Sequence, residues 1–312
     1  MALPQLPSAN FHLPIFIAGP TAVGKSEIAL RLAEKIGGEI ISVDSMQVYR
    51  GLDIGTAKPS AAERARVPHH LIDVCDLSEA FDAAQFIRFA QNAVAEIQSR
   101  NQTPIFCGGT GLYFKAYLEG LGEAPAADAN VRAELEAASL ESLLTELRER
   151  DPAAYEKIDK QNPRRVVRAV EVIRLTGKKF SELRAEWKVD SGKQKAGKLF
   201  CFTRASEDLH QRINIRVDEM FRGGLVAETE QLLKHGLAEN KFAMQAIGYR
   251  QVVEHLRGER DLAETIELVK IRTRQFAKRQ LTWFRRHGNC EWVELQRKNS
   301  VDEILAKLAT HG

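Results

Sequence analysis

Residues 15–26 read Ile15-Phe16-Ile17-Ala18-Gly19-Pro20-Thr21-Ala22-Val23-Gly24-Lys25-Ser26. A short apolar run ends in a Gly-x4-Gly-Lys-Ser loop, a helix-period stretch carries on to Ile36, and Gly37-Gly38 stops it. Strand, glycine-rich turn and helix in this order spell a P-loop. The glycines let backbone N–H groups turn inward and the helix N-terminus adds its dipole. Lys25 supplies a point charge, and the Ser26 hydroxyl can hold Mg²⁺. Gly19, Pro20, Thr21, Ala22, Val23, Gly24, Lys25 and Ser26 are therefore the candidate phosphate cradle.

Working outward, Ile40–Val43 is a second strand that ends at Asp44. Asp82 with Gln85 makes a capping-box start for a helix through about Gln98. Thr103–Cys107 is a further strand, broken by Gly108-Gly109. Strands and helices alternating at this spacing predict a parallel sheet covered on both faces. From about Glu123 to Lys195 the pattern changes to short amphipathic helices, one opened by Asn162 as N-cap and Pro163 at the first helical position. Strand character returns at Leu199–Thr203, Ser206 opens a long helical region, Cys290–Leu295 reads as a strand, and Ser300 with Glu303 caps a last helix. The expected fold class is α/β: a P-loop NTPase-like parallel sheet flanked by helices, with an all-helical insertion. Residues 1–122 and 197–312 form the core domain, and residues 123–196 form the insertion.

The 312 residues, 44% of them hydrophobic, suffice for an α/β core and a smaller second unit. Residues 1–14 lack the regions of a signal peptide, and no run of about 18 apolar residues occurs, so a cytoplasmic protein without a membrane span is expected. Cys75, Cys107, Cys201 and Cys290 are far apart and read as reduced thiols. The net charge of +3 conceals an uneven distribution. Residues 157–204 hold fourteen Lys/Arg against five Asp/Glu, and residues 270–290 hold seven Lys/Arg and no acid. Two basic segments on an otherwise acidic chain suggest a polyanionic partner larger than a metabolite, or else two solvated helix faces.

An ordinary nucleotide hydrolase ends a later strand in an acid that orders Mg²⁺. Here Pro104–Cys107 runs into Gly108-Gly109-Thr110-Gly111 instead, and Asp44 is the available substitute. A phosphate cradle without hydrolytic machinery suits a diphosphate that leaves. Asp44 follows a buried-strand pattern, which puts it at the carboxyl edge of the sheet beside the loop, placed to take a proton from an attacking nucleophile or merely to cap a turn. Thr110 reaches the same edge. These residues alone also allow a small-molecule kinase, with Asp44 activating a hydroxyl, or a non-catalytic RNA-binding protein that senses nucleotide.

A series of segments narrows the choice: GPTAVGKS at 19–26, ISVDSMQVYRGLDIGTAKPS at 41–60, GGTGLYFKAYLEGL at 108–121, HQRINIRVDEMF at 210–221, AIGYRQ at 246–251 and TRQFAKRQLTWFRR at 273–286. In order and at compatible spacing, they resemble the bacterial tRNA dimethylallyltransferases, also called tRNA isopentenyltransferases. The resemblance runs from about residue 14 to 295 and implies transfer of a dimethylallyl group from its diphosphate to N6 of the adenosine 3′ of the anticodon. It implies catalytic roles for Asp44, Thr110 and Lys25, a second diphosphate contact at Arg216, and Mg²⁺ on Ser26. The same resemblance points to Asp44, Ser45, Met46, Gln47 and Thr110, with Gln245, Ala246, Ile247, Gly248, Tyr249 and Arg250, around the target base. Arg132, Arg164, Arg165 and Arg168 in the insertion, and Lys278, Arg279, Gln280 and Arg285 in the second basic stretch, are the implied contacts to the anticodon stem-loop. The family usually carries a basic residue where this chain has Gln245, so no charge contact is expected there. A monomer is expected.

Overall fold

The computed structural model describes residues 13–121, 125, 128–185, 199–287, 289–296, 302–303 and 305. Ser300 and the expected domain boundaries at 122/123 and 196/197 lie outside the described residues. The chain divides into two compact units, residues 1–115 with 195–312 and residues 116–194.

The first unit is built on six parallel strands: β1 (Ile15–Ala18), β2 (Gly38–Val43), β3 (His69–His70), β4 (Thr103–Gly108), β5 (Leu199–Thr203) and β6 (Glu291–Glu294), in the order β3-β2-β4-β1-β5-β6. The helices are α1 (Lys25–Ile36), α2 (Ala61–Arg66), α3 (Ala83–Ser99), α4 (Gly111–Glu119), and then α5 (Ala129–Ala137), α6 (Leu140–Arg150), α7 (Pro152–Lys157), α8 (Pro163–Thr176) and α9 (Phe180–Ala185). They continue with α10 (Ser206–Arg222), α11 (Leu225–Lys234), α12 (Tyr249–Leu256) and α13 (Leu262–His287). All residues of β2 and β4 are buried, which explains why both read as continuous rather than alternating apolar runs. Phe16 on β1 stacks on Phe106 of β4 with ring centroids 4.8 Å apart.

Local chemistry sets the element ends. Gly37 adopts φ 68° and its N–H closes α1 on the Ala33 carbonyl, while Gly38 already belongs to β2. Both bonds of the Asp82–Gln85 capping box are made at the start of α3. Asn162 accepts from the Arg165 N–H, with Pro163 at the first position of α8. The two-residue strand β3 was not expected, being too short to show a period.

The described part of the second unit contains helices and no strand. Its core gathers Leu135, Leu143, Leu147, Val166, Val170 and Ile173, with Tyr155 and Phe180 packed against it. No helix among the described residues is long and apolar enough to cross a membrane.

Candidate active site

Register places the site. Ala18 on β1 pairs with Gly108 on β4, Val43 on β2 pairs with the same Gly108, and Ala18 pairs with Cys201 on β5. The residues one step beyond these aligned ends are Gly19, Gly109, Asp44 and Phe202, so the first three leave the sheet at one edge. Strands lie about 4.8 Å apart, so the Gly19 and Asp44 backbones, separated by β4, stand about 10 Å apart.

The loop itself is held in an unusual backbone. Gly19 has φ 150°, Ala22 φ 63° and Gly24 φ 106°. A Cβ on Gly19 would come within 2.8 Å of the Phe202 carbonyl oxygen, so this glycine is required by packing as well as by conformation. Three side chains from later in the chain fasten the loop. Arg204 donates from Nε to the Val23 carbonyl at 2.6 Å, Arg212 from Nε to the Ala22 carbonyl at 2.9 Å, and Gln280 accepts from the Thr21 N–H at 2.9 Å. Arg204 and Arg212 were missed by the sequence reading, since distances of almost two hundred residues leave no local signal.

Two cations converge here, neither in an ion pair among the described residues. Lys25 is part-buried, and its only hydrogen bond among the described residues goes from Nζ to the Pro20 carbonyl at 3.2 Å. Burial lowers the Lys25 ammonium below its ordinary value, and Arg216 adds to this while Cys107, Asp44 and Cys201 oppose it. Arg216 is likewise depressed by burial and then by Arg212, with Glu219 opposing, and it forms no ion pair among the described residues. Ala22, Arg212, Ile215, Arg216 and Glu219 line a cavity of about 240 Å³. Glu219 offsets only part of the cost of desolvating Arg216, and an anion in the cavity would relieve the rest.

Asp44 uses one oxygen to shape its own loop: Oδ1 accepts from the Met46 N–H at 2.8 Å and the Gln47 N–H at 3.3 Å. The turn-capping role is thus real, and it leaves Oδ2 without a hydrogen bond among the described residues. Asp44 and Lys25 both act on Cys107 between them; burial pushes that thiol up to about 11, with Lys25 opposing and Asp44 adding. Thr110 Oγ1 accepts from the Ser45 N–H at 3.2 Å, joining the β4 loop to the β2 loop. Gln47 accepts from the Ser42 hydroxyl at 2.8 Å and donates to the Thr56 and Ala57 carbonyls.

The segment after Asp44 is braced from within. Lys58, its side chain 2% exposed, donates from Nζ to the Tyr49 carbonyl at 2.6 Å and to the carboxylates of Asp53 at 2.7 Å and Asp73 at 2.5 Å. Tyr249 is fully buried; its hydroxyl donates to Glu228 at 2.5 Å and accepts from the Gly55 N–H at 3.0 Å, while Glu228 also accepts from the Ile54 N–H. Tyr249 therefore holds residues 54–55 instead of facing a base. Ala246 and Gly248 are buried beside it, Ile247 packs on the core, and only Gln245 and Arg250 are exposed, Arg250 in an ion pair with Glu254 at 3.0 Å.

The arginines of the second unit separate into two groups. Arg132 and Arg168 both donate to Oε2 of the fully buried Glu171, at 2.8 and 2.6 Å, and Arg168 also donates to the Pro125 carbonyl. They compensate a buried carboxylate, so the expectation that they meet phosphate is not supported. Arg164 and Arg165 are exposed on the first turn of α8. On α13, Lys278, Arg279, Arg285 and Arg286 are exposed and form no ion pair among the described residues. Gln280, expected among the RNA contacts, is buried and turned toward the loops.

For Mg²⁺, the described residues hold no cluster of three His, Cys, Asp or Glu side chains. Ser26 is exposed at the start of α1, a placement that fits an ion carried mainly by phosphate oxygens and water.

Comparison with known proteins bears on this site. The model of the IPP transferase family matches residues 47–287. The tRNA dimethylallyltransferase of Geobacter metallireducens is 46% identical over 296 residues, covering 94% of this chain and 95% of the relative. That of Thermotoga petrophila is 40% identical over 298 residues, covering 94% and 95%. The crystal structure of the full-length tRNA isopentenylpyrophosphate transferase from Bacillus halodurans superposes with TM-score 0.70 at 39% identity, covering 96% of each chain. A eukaryotic dimethylallyltransferase captured acting on tRNA superposes with TM-score 0.80 at 30% identity, covering 94% of this chain and 78% of that one. With two cations facing a carboxylate across one sheet edge and relatives matched over nearly the whole length, the chain belongs to the IPP transferase family of tRNA dimethylallyltransferases.

Proposed function

We propose that this protein transfers the dimethylallyl group of dimethylallyl diphosphate to N6 of the adenosine 3′ of the anticodon in tRNA. The observation that carries the reading is the pair of part-buried cations, Lys25 and Arg216, neither in an ion pair among the described residues, with Asp44 on the same sheet edge.

In this reading the diphosphate lies along the loop, with Lys25, Arg216 and Arg212 taking up its charge. Ser26 would hold Mg²⁺, which when bound would supply charge neutralisation to the leaving group. The N6 lone pair is delocalised into the purine ring and is a weak nucleophile. As N6 forms its bond to C1 of the prenyl group, the C1–O bond breaks and its electron pair leaves with pyrophosphate. The surplus N6 proton passes to Asp44 Oδ2, the oxygen that the Met46 and Gln47 amides leave unoccupied. Charge developing on the leaving oxygen is met by groups already in place, which is where such stabilisation counts most. The exposed cations of α13, together with Arg164 and Arg165, contact RNA phosphates, and these contacts set position more than sequence preference.

The test is mass spectrometry of nucleosides from anticodon stem-loop RNA incubated with the protein, Mg²⁺ and dimethylallyl diphosphate. The expected product is adenosine heavier by one dimethylallyl group, at the position 3′ of the anticodon. Unmodified RNA, together with transfer of label from ATP to a small metabolite, would instead mark a kinase.

A further inference from the structure

Gln280 lies at the middle of the most basic stretch of α13, yet its side chain is only 7% exposed. Its primary amide makes two bonds in opposite senses. Oε1 accepts from the Thr21 N–H at 2.9 Å, and Nε2 donates to the Gly109 carbonyl at 2.9 Å. Thr21 belongs to the phosphate loop, and Gly109 precedes Thr110 in the loop that carries the Asp44 side of the site. One planar group thus spans the two halves.

The surroundings are cut to this amide. A Cβ on Gly109 would fall 2.2 Å from Nε2, and a Cβ on Gly111 would fall 2.1 Å from the Trp283 ring, one turn further along the same face of α13. A Cβ on Gly108 would fall 2.0 Å from the Val43 carbonyl oxygen. The glycines therefore let α13 and β2 close on the β4 loop at contact distance. Among ordinary side chains of this length, only glutamine supplies one acceptor and one donor side by side. A carboxylate could serve Thr21 but would oppose the Gly109 oxygen; a lysine could serve Gly109 but not Thr21.

We infer that Gln280 is a positioning residue that fixes the separation between the leaving-group cradle and the Asp44–Thr110 edge, and so sets turnover without contacting RNA. This rests on the transfer reaction proposed above. Both loops are irregular backbone at the end of a sheet, and among the described residues Gln280 is the one side chain that bridges Thr21 and Gly109. Reacting atoms held about 1 Å from their best approach can cost on the order of 100-fold in rate.

The experiment compares wild type with Gln280→Leu, Gln280→Glu and Gly109→Ala. It measures kcat, KM for dimethylallyl diphosphate, affinity for anticodon stem-loop RNA, affinity for inorganic pyrophosphate by titration calorimetry, and thermal midpoint. Gln280→Leu should lower kcat about 100-fold and weaken pyrophosphate, while RNA affinity stays within about threefold. Gly109→Ala, which displaces the same amide from the other side, should give the same split. Gln280→Glu provides the distinguishing signature. A protonated carboxyl offers one donor and one acceptor, as the amide does, so its activity relative to wild type should rise as pH falls from 8 to 6. A flat ratio across that range would overturn the inference, as would RNA affinity falling in step with kcat, or activity losses that follow only the fraction unfolded. If wild type transferred no dimethylallyl group, the transfer reading would fail. The pyrophosphate titration would then decide alone, and unchanged affinity in Gln280→Leu would overturn the inference.

Discussion

Replacing Asp44 by Asn isolates a single property of that residue. In the folded protein only Oδ1 is used structurally, accepting from the Met46 and Gln47 amides at 2.8 and 3.3 Å. An asparagine keeps that oxygen, so the turn after β2 survives and the thermal midpoint should hardly move. What disappears is the charge and the ability of Oδ2 to accept a proton from N6. A positioned general base contributes about 10²–10⁴ in rate, or about 3–5 kcal/mol at about 1.36 kcal/mol per decade. Asp44 also raises the Lys25 ammonium against the dominant lowering by burial. Its loss lets Lys25 fall further and weakens the hold on the diphosphate as pH rises. The assay is single-turnover transfer of labelled dimethylallyl to stem-loop RNA at saturating substrates, with RNA affinity measured in parallel. The expected result is a rate reduced by two to four decades with RNA affinity intact. A rate within a factor of ten of wild type would refute the assignment, and joint loss of rate and RNA affinity would make Asp44 a docking residue.

Further outcomes follow from the same geometry. RNA affinity should fall steeply with salt, with a logarithmic slope of about −5 if Lys278, Arg279, Arg285, Arg286, Arg164 and Arg165 each meet a phosphate, and Lys278→Ala should reduce the slope by about one, read by filter binding. Pyrophosphate affinity should change far less over the same range; equal sensitivity would argue against separate seats. Tyr249→Phe leaves the Gly55 N–H without its acceptor and removes a donor to Glu228, so denaturant unfolding should show a loss of about 1–3 kcal/mol. Burial pushes the Asp73 carboxyl up, but hydrogen bonds from Lys58 and Arg64 outweigh it and hold it below the ordinary 3.8. Because the folded value is the lower one, this stabilisation is present above pH about 4 and is lost on acidification through the folded value. Urea unfolding from pH 6 to 3 should therefore fall less steeply in Asp73→Asn than in wild type.

Much of this architecture can be read from local chemistry. Residues 15–26 specify strand, loop and helix by composition alone, and Asp82–Gln85 and Asn162-Pro163 announce their helices through side-chain caps. The parallel sheet follows from buried runs alternating with helices. The bracing of the site does not, because it depends on partners far apart in sequence. Gln280 sits among cations and reads as solvent-facing, but it meets Thr21 across 259 positions. Tyr249 lies in a segment that the family resemblance attaches to a base, while its hydroxyl is committed to Glu228 and Gly55. Arg168 precedes Glu171 by three residues on a helix, a spacing at which the two meet, so their pairing is legible in the sequence.

Lys58 offers a practical handle of another kind. Its amine is saturated by three oxygens and shut off from water, whereas Lys278 of α13 is exposed. An acylating reagent would mark an open amine such as that of Lys278 at once and reach Lys58 only in molecules whose 49–73 segment has come apart. The rate at which that single amine is tagged is a built-in clock for local opening beside the reaction chamber.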